Sequence, residues 1–330
     1  MINRRDFIIG ASGMMLSMSG LGESGGAAVG EVRRRNSAKV ALVRTSDRAG
    51  GVKTAIDLLG INPVEGKQVL IKPNFNTADP CPGSTHNDTL VSLISHLRQM
   101  GAASLTIGER SGPPATASVI EDKGIGEICR EHGVRLINFE DLPREQWVRI
   151  RPEHSHWNDG FDVAKPVLDA QCVVSTCCLK THGYGGVFTM SLKLSVGITH
   201  KRNMGELHSS FRSMRKMIAE INQAYSPSLI VLDGIEAFVD GGPMTGRRKR
   251  ADVILAGTDR IAVDAAGLAV LKAIGSNDAI MGRKIFEQEQ ISRAVELGLG
   301  ASKAEEIEFV TGDEKSRSYA EKLKGILLEG

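Results

Sequence analysis

Residues 179–199, LKTHGYGGVFTMSLKLSVGIT, hold the side chains of this chain that are best suited to chemistry. Lys180 and His182 follow the apolar run CVVSTCCL, and Lys193 comes after a glycine-rich turn, among small and apolar residues. Lysine amines bind anions, and burial lowers their pKa until they can also accept protons. An imidazole beside them can exchange a proton near neutral pH. We therefore predict Lys180, His182 and Lys193 as catalytic residues.

The rest of the chain alternates between strand and helix patterns. Apolar runs predict strands at residues 39–45, 68–74, 104–110, 134–140, 171–180, 229–234, 251–259 and 306–312. Amphipathic segments, several of them ending at a glycine, predict helices between most of these runs. Because strands that alternate with helices form a mainly parallel sheet flanked by helices, we predict an α/β fold.

Polar residues follow these strands, and ligands of open α/β sheets bind beyond the carboxyl ends of the strands. Residues able to hold a ligand or to let the backbone approach it are predicted to bind substrate: Lys72, Asn74, Glu109, Gly185, Gly186 and Thr258. Carboxylates that could act as metal ligands or general bases are Asp233, Asp259 and Asp264. Such a site suits a small carboxylate or phosphate, and it allows for a metal ion.

The first 28 residues predict a twin-arginine export signal. Arg4 and Arg5 stand together ahead of an apolar stretch, and the small residues GGAA at 25–28 offer a cleavage site. We therefore expect a periplasmic or otherwise exported protein whose partner during export is the twin-arginine machinery. Because that route carries folded proteins, many of them already loaded with a cofactor, it favours a cofactor-dependent protein.

The chain after this signal predicts a linker at residues 29–37 and one α/β domain at 38–330. The irregular stretch at 141–165 leaves open a division of that domain into two lobes. No segment of the mature chain approaches the roughly 18 consecutive apolar residues of a membrane span.

Charge, glycine spacing and cysteine spacing argue against several classes of protein. The net charge is only +2, and the basic run at 247–250 lacks interleaved aromatic residues, so we expect a solvated loop there and no nucleic-acid partner. The glycines at 183–186 lack the G-x-G-x-x-G spacing of a nicotinamide site. The five cysteines show no CxxC spacing, which argues against an iron–sulfur cluster, and Cys81, between two prolines, is expected to be the accessible one.

Five ordered segments resemble the domain-of-unknown-function family 362. They are LIKPNF (70–75), IGERSG (107–112), LKTHGYGGVFTMSLKLSVG (179–197), IVLDGIEAFVDGGPMTG (230–246) and ILAGTDRIAVDA (254–265). The resemblance covers residues 39–275, but Leu194 stands where the family usually has asparagine, and the ferredoxin-like cysteine module of many relatives is missing. The family also looks distantly similar to the nickel-pincer lactate racemases, which use lysine and histidine at strand ends, and this implies a related fold.

These patterns together predict an exported enzyme that acts on a small anionic substrate at the carboxyl ends of the strands. A metal ion or another cofactor is expected to take part, and its identity stays open. Redox chemistry, racemisation or proton abstraction next to a carbonyl, and hydrolysis all remain candidate reactions. The alternative is a periplasmic protein that binds an anion, a metal or a cofactor without turnover.

Overall fold

A nine-stranded sheet lies at the centre of the protein in the computed structural model, which describes residues 37–330. The strands are β1 (Ala38–Arg44), β2 (Gln68–Lys72), β3 (Ser104–Glu109), β4 (Arg135–Asn138), β5 (Trp147–Ile150), β6 (Phe161–Ala164), β7 (Cys172–His182), β8 (Val187–Thr189), β9 (Leu229–Gly241), β10 (Gly246–Gly257) and β11 (Ile307–Val310). The sheet has the order β11-β1-β10-β9-β7-β2-β3-β4, with β8 beside β7, while β5 and β6 form a separate pair. The predicted twin-arginine signal lies outside the described residues.

Helices cover both faces of this sheet. They are α1 (Arg48–Leu58), α2 (Asn87–Gln99), α3 (Thr116–Asp122), α4 (Ile125–Glu131), α5 (Lys165–Leu168), α6 (Ser191–Leu194), α7 (Met204–Ser209), α8 (Met214–Ile221), α9 (Arg260–Ile274), α10 (Asp278–Met281), α11 (Glu289–Glu296) and α12 (Glu314–Glu329). Alternate residues of β1 show the two layers: Leu42 packs in the apolar cluster that contains α9, and Ala41 packs with α1 and α2. No helix within residues 37–330 is both long and apolar enough to cross a membrane.

The strand directions confirm the predicted α/β fold with a mainly parallel sheet. The pairs β1–β11, β2–β3, β2–β7, β3–β4 and β7–β9 are parallel. The carboxyl ends of β2, β3 and β7 therefore meet at one edge of the sheet. The glycine-rich segment that follows β7 continues from that edge.

Strand β10 runs against its neighbours, and this corrects one prediction. It pairs antiparallel with both β9 and β1, because a short hairpin turn joins β9 directly to it. Gly257, at the carboxyl end of β10, lies opposite Val40 and Ile230 near the starts of their strands. Thr258 is therefore at the opposite edge from the ends of β2 and β7, and the prediction that it shares their site is wrong. The basic run at 247–250, predicted as a loop, belongs to this strand.

Asp259 is the N-cap of α9, and this is a structural role. Its Oδ1 accepts hydrogen bonds from the backbone N–H of Ile261 at 2.8 Å and of Ala262 at 2.9 Å. Its Oδ2 accepts a third from Ala301 N–H at 2.6 Å. A carboxylate that satisfies three backbone donors has little capacity left for a metal ion, so the prediction of Asp259 as a metal ligand is wrong.

Replacing this cap tests the structural role. Asp259→Ala removes the acceptor for three backbone N–H groups, so we expect the free energy of unfolding to fall by about 1–2 kcal/mol. Urea denaturation measures this loss, and Glu321→Ala, on the exposed face of α12, is the control that should change stability little. Unaltered stability in Asp259→Ala, together with lost ligand binding, would contradict the assignment.

Candidate functional site

A cavity of about 500 Å³ lies beyond the carboxyl ends of β2, β3 and β7. Six of the residues predicted from the sequence line it: Lys72, Asn74, Glu109, Lys180, His182 and Lys193. Further side chains complete the wall: Asn76, Arg110, Thr189, Lys201, Met204 and His208. Asn76 and Arg110 follow predicted strands, and His208 lies in a segment that could reach the same edge, whereas Thr189, Lys201 and Met204 carry no such signal in the sequence. Gly185 and Gly186 lie in the turn between β7 and β8, beside the cavity.

The cavity carries a large excess of positive charge. Its cationic side chains are Lys72, Arg110, Lys180, Lys193 and Lys201. Glu109 supplies the one carboxylate among the residues that line it. An anionic ligand would relieve the mutual repulsion of these cations, whereas a metal cation would add to it.

Lys72 and Glu109 form an ion pair within the wall. The Lys72 Nζ lies 2.5 Å from Glu109 Oε1 and also donates to the Pro73 carbonyl at 2.7 Å. Glu109 Oε2 accepts a hydrogen bond from Phe75 N–H at 2.7 Å. Burial raises the pKa of Glu109 and lowers that of Lys72, and each charge offsets this effect on its partner. The pair neutralises itself, and Lys201 pairs with Glu140. Within residues 37–330 the other three cations of the cavity, Arg110, Lys180 and Lys193, form no ion pair.

Lys180 is fixed by backbone carbonyls. Its Nζ donates to the Gly83 carbonyl at 2.5 Å and to the Pro243 carbonyl at 3.0 Å. Both acceptors belong to loops that reach over the end of β7. Burial lowers the pKa of this lysine. The two carbonyls thus fix the amine of Lys180 in the cavity wall, where its N–H groups can face an anion.

Arg110 is a second fixed cation. Its Nε donates to the Thr199 carbonyl at 2.8 Å, and its Nη1 donates to the Ser111 carbonyl at 2.8 Å. A third hydrogen bond joins Nη2 to the Val196 carbonyl. Burial lowers the pKa of Arg110 to about 10, which leaves the guanidinium charged at neutral pH.

Lys193 differs from its neighbours because its amine has no partner. Within residues 37–330 it forms no hydrogen bond and no ion pair. Burial, followed by repulsion from Lys180 and Arg110, lowers its pKa to about 7. Near neutral pH this side chain is therefore present both as an amine and as an ammonium ion, the condition that a general base requires.

Asp264 holds the short helix α6 that carries Lys193. Its two carboxylate oxygens accept hydrogen bonds from Ser191 N–H at 2.7 Å and Leu192 N–H at 2.9 Å. These are first-turn donors of α6 that would otherwise be unsatisfied. Burial raises the pKa of Asp264 to about 7. Asp264 is consequently a positioning residue for Lys193, and its prediction as a metal ligand is wrong.

His182 is a neutral hydrogen-bond donor. Gly186 N–H donates to its Nδ1 at 3.3 Å, so the proton of the neutral ring lies on Nε2. Burial, with repulsion from Lys193 and Lys180, lowers the pKa of His182 to about 2. The ring therefore offers an N–H group at neutral pH and is a poor proton acceptor.

Buried polar atoms of the wall lack partners. Asn76 Nδ2 and Thr189 Oγ1 have no hydrogen-bond partner among the described residues. Asn74 Nδ2 has no nitrogen or oxygen acceptor and lies beside the Cys178 thiol. An unpaired buried donor costs roughly 1–3 kcal/mol. A ligand that brings acceptor oxygens into the cavity would recover part of this energy.

The predicted metal set does not fit the structure. Asp233 is buried away from the cavity wall, where it accepts from Arg48 Nε at 2.9 Å and Thr89 Oγ1 at 2.7 Å. Among residues 37–330, no three His, Cys, Asp or Glu side chains lie together as metal ligands would. Cys81, expected to be accessible, is also buried. The amines and amides of the cavity suit an anion better than a metal ion.

Fold and cavity together define an α/β protein with a cation-rich site at one edge of its sheet. A family model described as "Domain of unknown function (DUF362)" matches residues 69–269, more than half of the chain. The chain belongs to this family, as its five segments predicted.

Two further proteins are similar to this chain. The thylakoid-associated protein sll1697 of Synechocystis sp. is 23% identical over 243 residues, which cover 68% of this chain and 72% of that protein. The lactate racemase apoprotein from Thermoanaerobacterium thermosaccharolyticum aligns with a TM-score of 0.44 and 14% identity, covering 89% of this chain and 87% of that one.

Gly186 provides a test of the site geometry. A Cβ added there would lie 2.8 Å from His182 Nδ1 and 2.9 Å from Lys193 Cε, so Gly186→Ala should displace both side chains. We expect the ¹⁵N signals of the His182 ring to change and the affinity for acetate to fall at least about tenfold. Gly205→Ala is the control, because its Cβ would meet nothing within 4 Å. Identical ring signals and affinities in the two variants would show that the arrangement described for Gly186 is wrong.

Proposed function

We propose that this protein is an exported enzyme that abstracts a proton next to the carbonyl or carboxyl group of a small anionic substrate. The observation that carries the proposal is the unpaired amine of Lys193, held among other cations in a cavity at the carboxyl edge of the sheet. Export rests on the twin-arginine pattern of residues 1–28. The substrate is a small carboxylate or phosphate that bears a carbon acid.

The charge of the cavity favours such a substrate. Lys180 and Arg110 are held in place by backbone carbonyls, so they can face an anionic group without first being ordered. Asn76 and Thr189 add polar atoms that have no partner within the described chain. Fixed cations and unsatisfied donors together would bind and orient a carboxylate or a phosphate.

Lys193 and His182 have different roles in the proposed reaction. Lys193, in its neutral form, accepts the proton from the carbon atom of the substrate. Charge then develops on the adjacent oxygen, which His182 Nε2–H and the cationic wall stabilise. Return of the proton from the Lys193 ammonium to the same face of the carbon restores the substrate, and exchange of that ammonium with solvent exchanges the carbon-bound hydrogen. His182 can remain neutral throughout, which agrees with its strongly lowered pKa.

A cofactor remains a prediction. The cationic side chains that would hold a substrate anion would equally hold the anionic group of an organic cofactor. Because the carboxylates predicted as metal ligands are dispersed over the fold, no step is assigned to a metal ion bound by the protein alone.

The substitution Lys193→Met tests the proposed base. Carbon-bound hydrogen of small 2-oxo and 2-hydroxy acids should exchange with D₂O in the presence of the full chain, measured by ¹H NMR. Loss of a general base typically lowers a rate by about 10²–10⁴-fold, so we expect at least a hundredfold loss in this variant. Lys322→Met, at an exposed position of α12, is the matched control. Saturable binding without exchange would support the alternative of a non-catalytic binding protein.

The pKa of Lys193 also predicts a pH dependence. Its ammonium form, which attracts anions, is complete well below pH 7 and is lost as the pH rises through 7. Affinity for acetate should therefore fall about tenfold between about pH 6 and about pH 8. Calorimetric titration of the wild type and of Lys193→Met measures this, and the variant should lack the fall. A pH-independent affinity in the wild type would exclude a titrating Lys193 from the anion site.

A further inference from the structure

A second cavity, of about 350 Å³, lies apart from the first. Its wall combines arginine side chains, one carboxylate and aromatic or apolar surface: Arg144, Trp147, Arg149, Asp162, His200 and Arg202 form most of it. None of these residues lines the first cavity. The β5–β6 pair supplies one side of this second cavity, and the segment after residue 198 supplies the other.

A buried carboxylate fixes two of the guanidinium groups. Asp162 is 1% exposed and accepts two hydrogen bonds of 2.6 Å from Arg202, through Nε and Nη2. Arg149 Nε lies 3.1 Å from the same carboxylate. Arg149 Nη1 also donates to the Asp159 and Gly160 carbonyls, at 3.0 and 3.1 Å. Both arginines are thereby held in one orientation before any ligand arrives.

These contacts leave several donors unused. Arg202 Nη1 and Arg149 Nη2 form no hydrogen bond with the described residues, and Arg144 forms no hydrogen bond or ion pair with them. His200 Nδ1 accepts from Arg202 N–H at 3.0 Å, so the neutral ring carries its proton on Nε2. The cavity therefore has three guanidinium groups, one carboxylate and spare N–H donors.

The aromatic side of the cavity is also fixed. The ring of Trp147 meets that of His200 edge to face, with centroids 4.7 Å apart. Trp147 Nε1 donates to the Leu142 carbonyl at 3.3 Å. A rigid indole beside fixed guanidinium groups provides both a wall for the ligand and a spectroscopic reporter of its arrival.

We propose that this second cavity is an oxyanion site, selective for the phosphate group of inorganic phosphate or of a small phosphate monoester. Guanidinium groups match the oxygens of phosphate in geometry and charge. Asp162 offsets one of the three arginine charges and Asp159 lies 3.9 Å from Arg149 Nη1, so the arginines keep a net positive charge for a phosphate. This proposal holds whether or not the reaction proposed for the first cavity takes place.

The position of the site connects it to the first cavity. Lys201, between His200 and Arg202 in the chain, lines the first cavity. The Thr199 carbonyl accepts from Arg110, one of the fixed cations of that cavity. A phosphate bound through His200 and Arg202 would therefore brace the segment that positions Arg110 and Lys201.

Titration of the full chain with inorganic phosphate tests the proposal. The indole ¹H–¹⁵N signal of Trp147, assigned with Trp147→Phe, should shift and saturate. Arg144→Ala removes a guanidinium that makes no contact within the described chain, so the fold should persist while the affinity falls about tenfold. Arg151→Ala is the matched control, because Arg151 is exposed and binds Asp159 outside this cavity.

Further titrations show which cavity and which ligand produce the Trp147 shift. Lys193→Met, in the first cavity, should leave the Trp147 titration unchanged. Glycerol phosphate that binds more tightly than inorganic phosphate would identify a phosphate monoester as the ligand, and the reverse order would identify free phosphate. Acetate that binds as tightly as phosphate, equal losses in Arg144→Ala and Arg151→Ala, or no saturable shift would each overturn the proposal.

Discussion

The repulsion among buried cations is the constraint on which the site depends. Lys180 and Arg110 are buried beside the half-buried Lys193, and the one carboxylate that lines the cavity, Glu109, is already paired with Lys72. Each cation meets this constraint differently. Arg110 stays charged and Lys180 is held by backbone carbonyls, whereas Lys193 has no such acceptor and responds through its pKa. A cavity built in this way favours anions and keeps one amine near its titration point.

The amine of Lys193 is positioned by residues that do not contact its nitrogen. Asp264, on α9, caps the short helix α6 and so sets the direction of Lys193. Gly186 allows the turn after β7 to pass within contact of both Lys193 and His182, and its N–H fixes the tautomer of the histidine. These contacts come from different parts of the chain, so the reactive geometry is a property of the whole sheet edge.

Much of this site can be predicted from the sequence, and the predictions that are wrong have physical reasons. Lys72, Lys180 and His182 were found because they end apolar runs that form parallel strands. Thr258 and Asp259 also end such a run, but the direction of a strand is not encoded in its own pattern: the hairpin before β10 reverses it. Asp264 is predicted from the sequence as a metal ligand or general base, but its carboxylate binds backbone N–H groups instead. Its backbone donors lie on α6, more than 70 residues earlier, and nothing in its local sequence shows that contact. The same strand-end rule selects Asn76 and Arg110, which follow β2 and β3, whereas Thr189 and Lys201 enter the cavity by tertiary packing alone.

The ionisation state of Lys193 is the most direct test of whether this residue can be the proposed base. Lysine side-chain NMR of the full chain, titrated from about pH 5 to about pH 11 and assigned with Lys193→Met, measures it. The structure predicts one lysine that titrates near pH 7, well below the ordinary value of about 10.4. Addition of an anion that fills the cavity should raise that pKa. If Lys193 instead titrates with the exposed lysines, above about pH 9.5, the amine is charged and paired at neutral pH, and it cannot be the base on which the proposed chemistry rests.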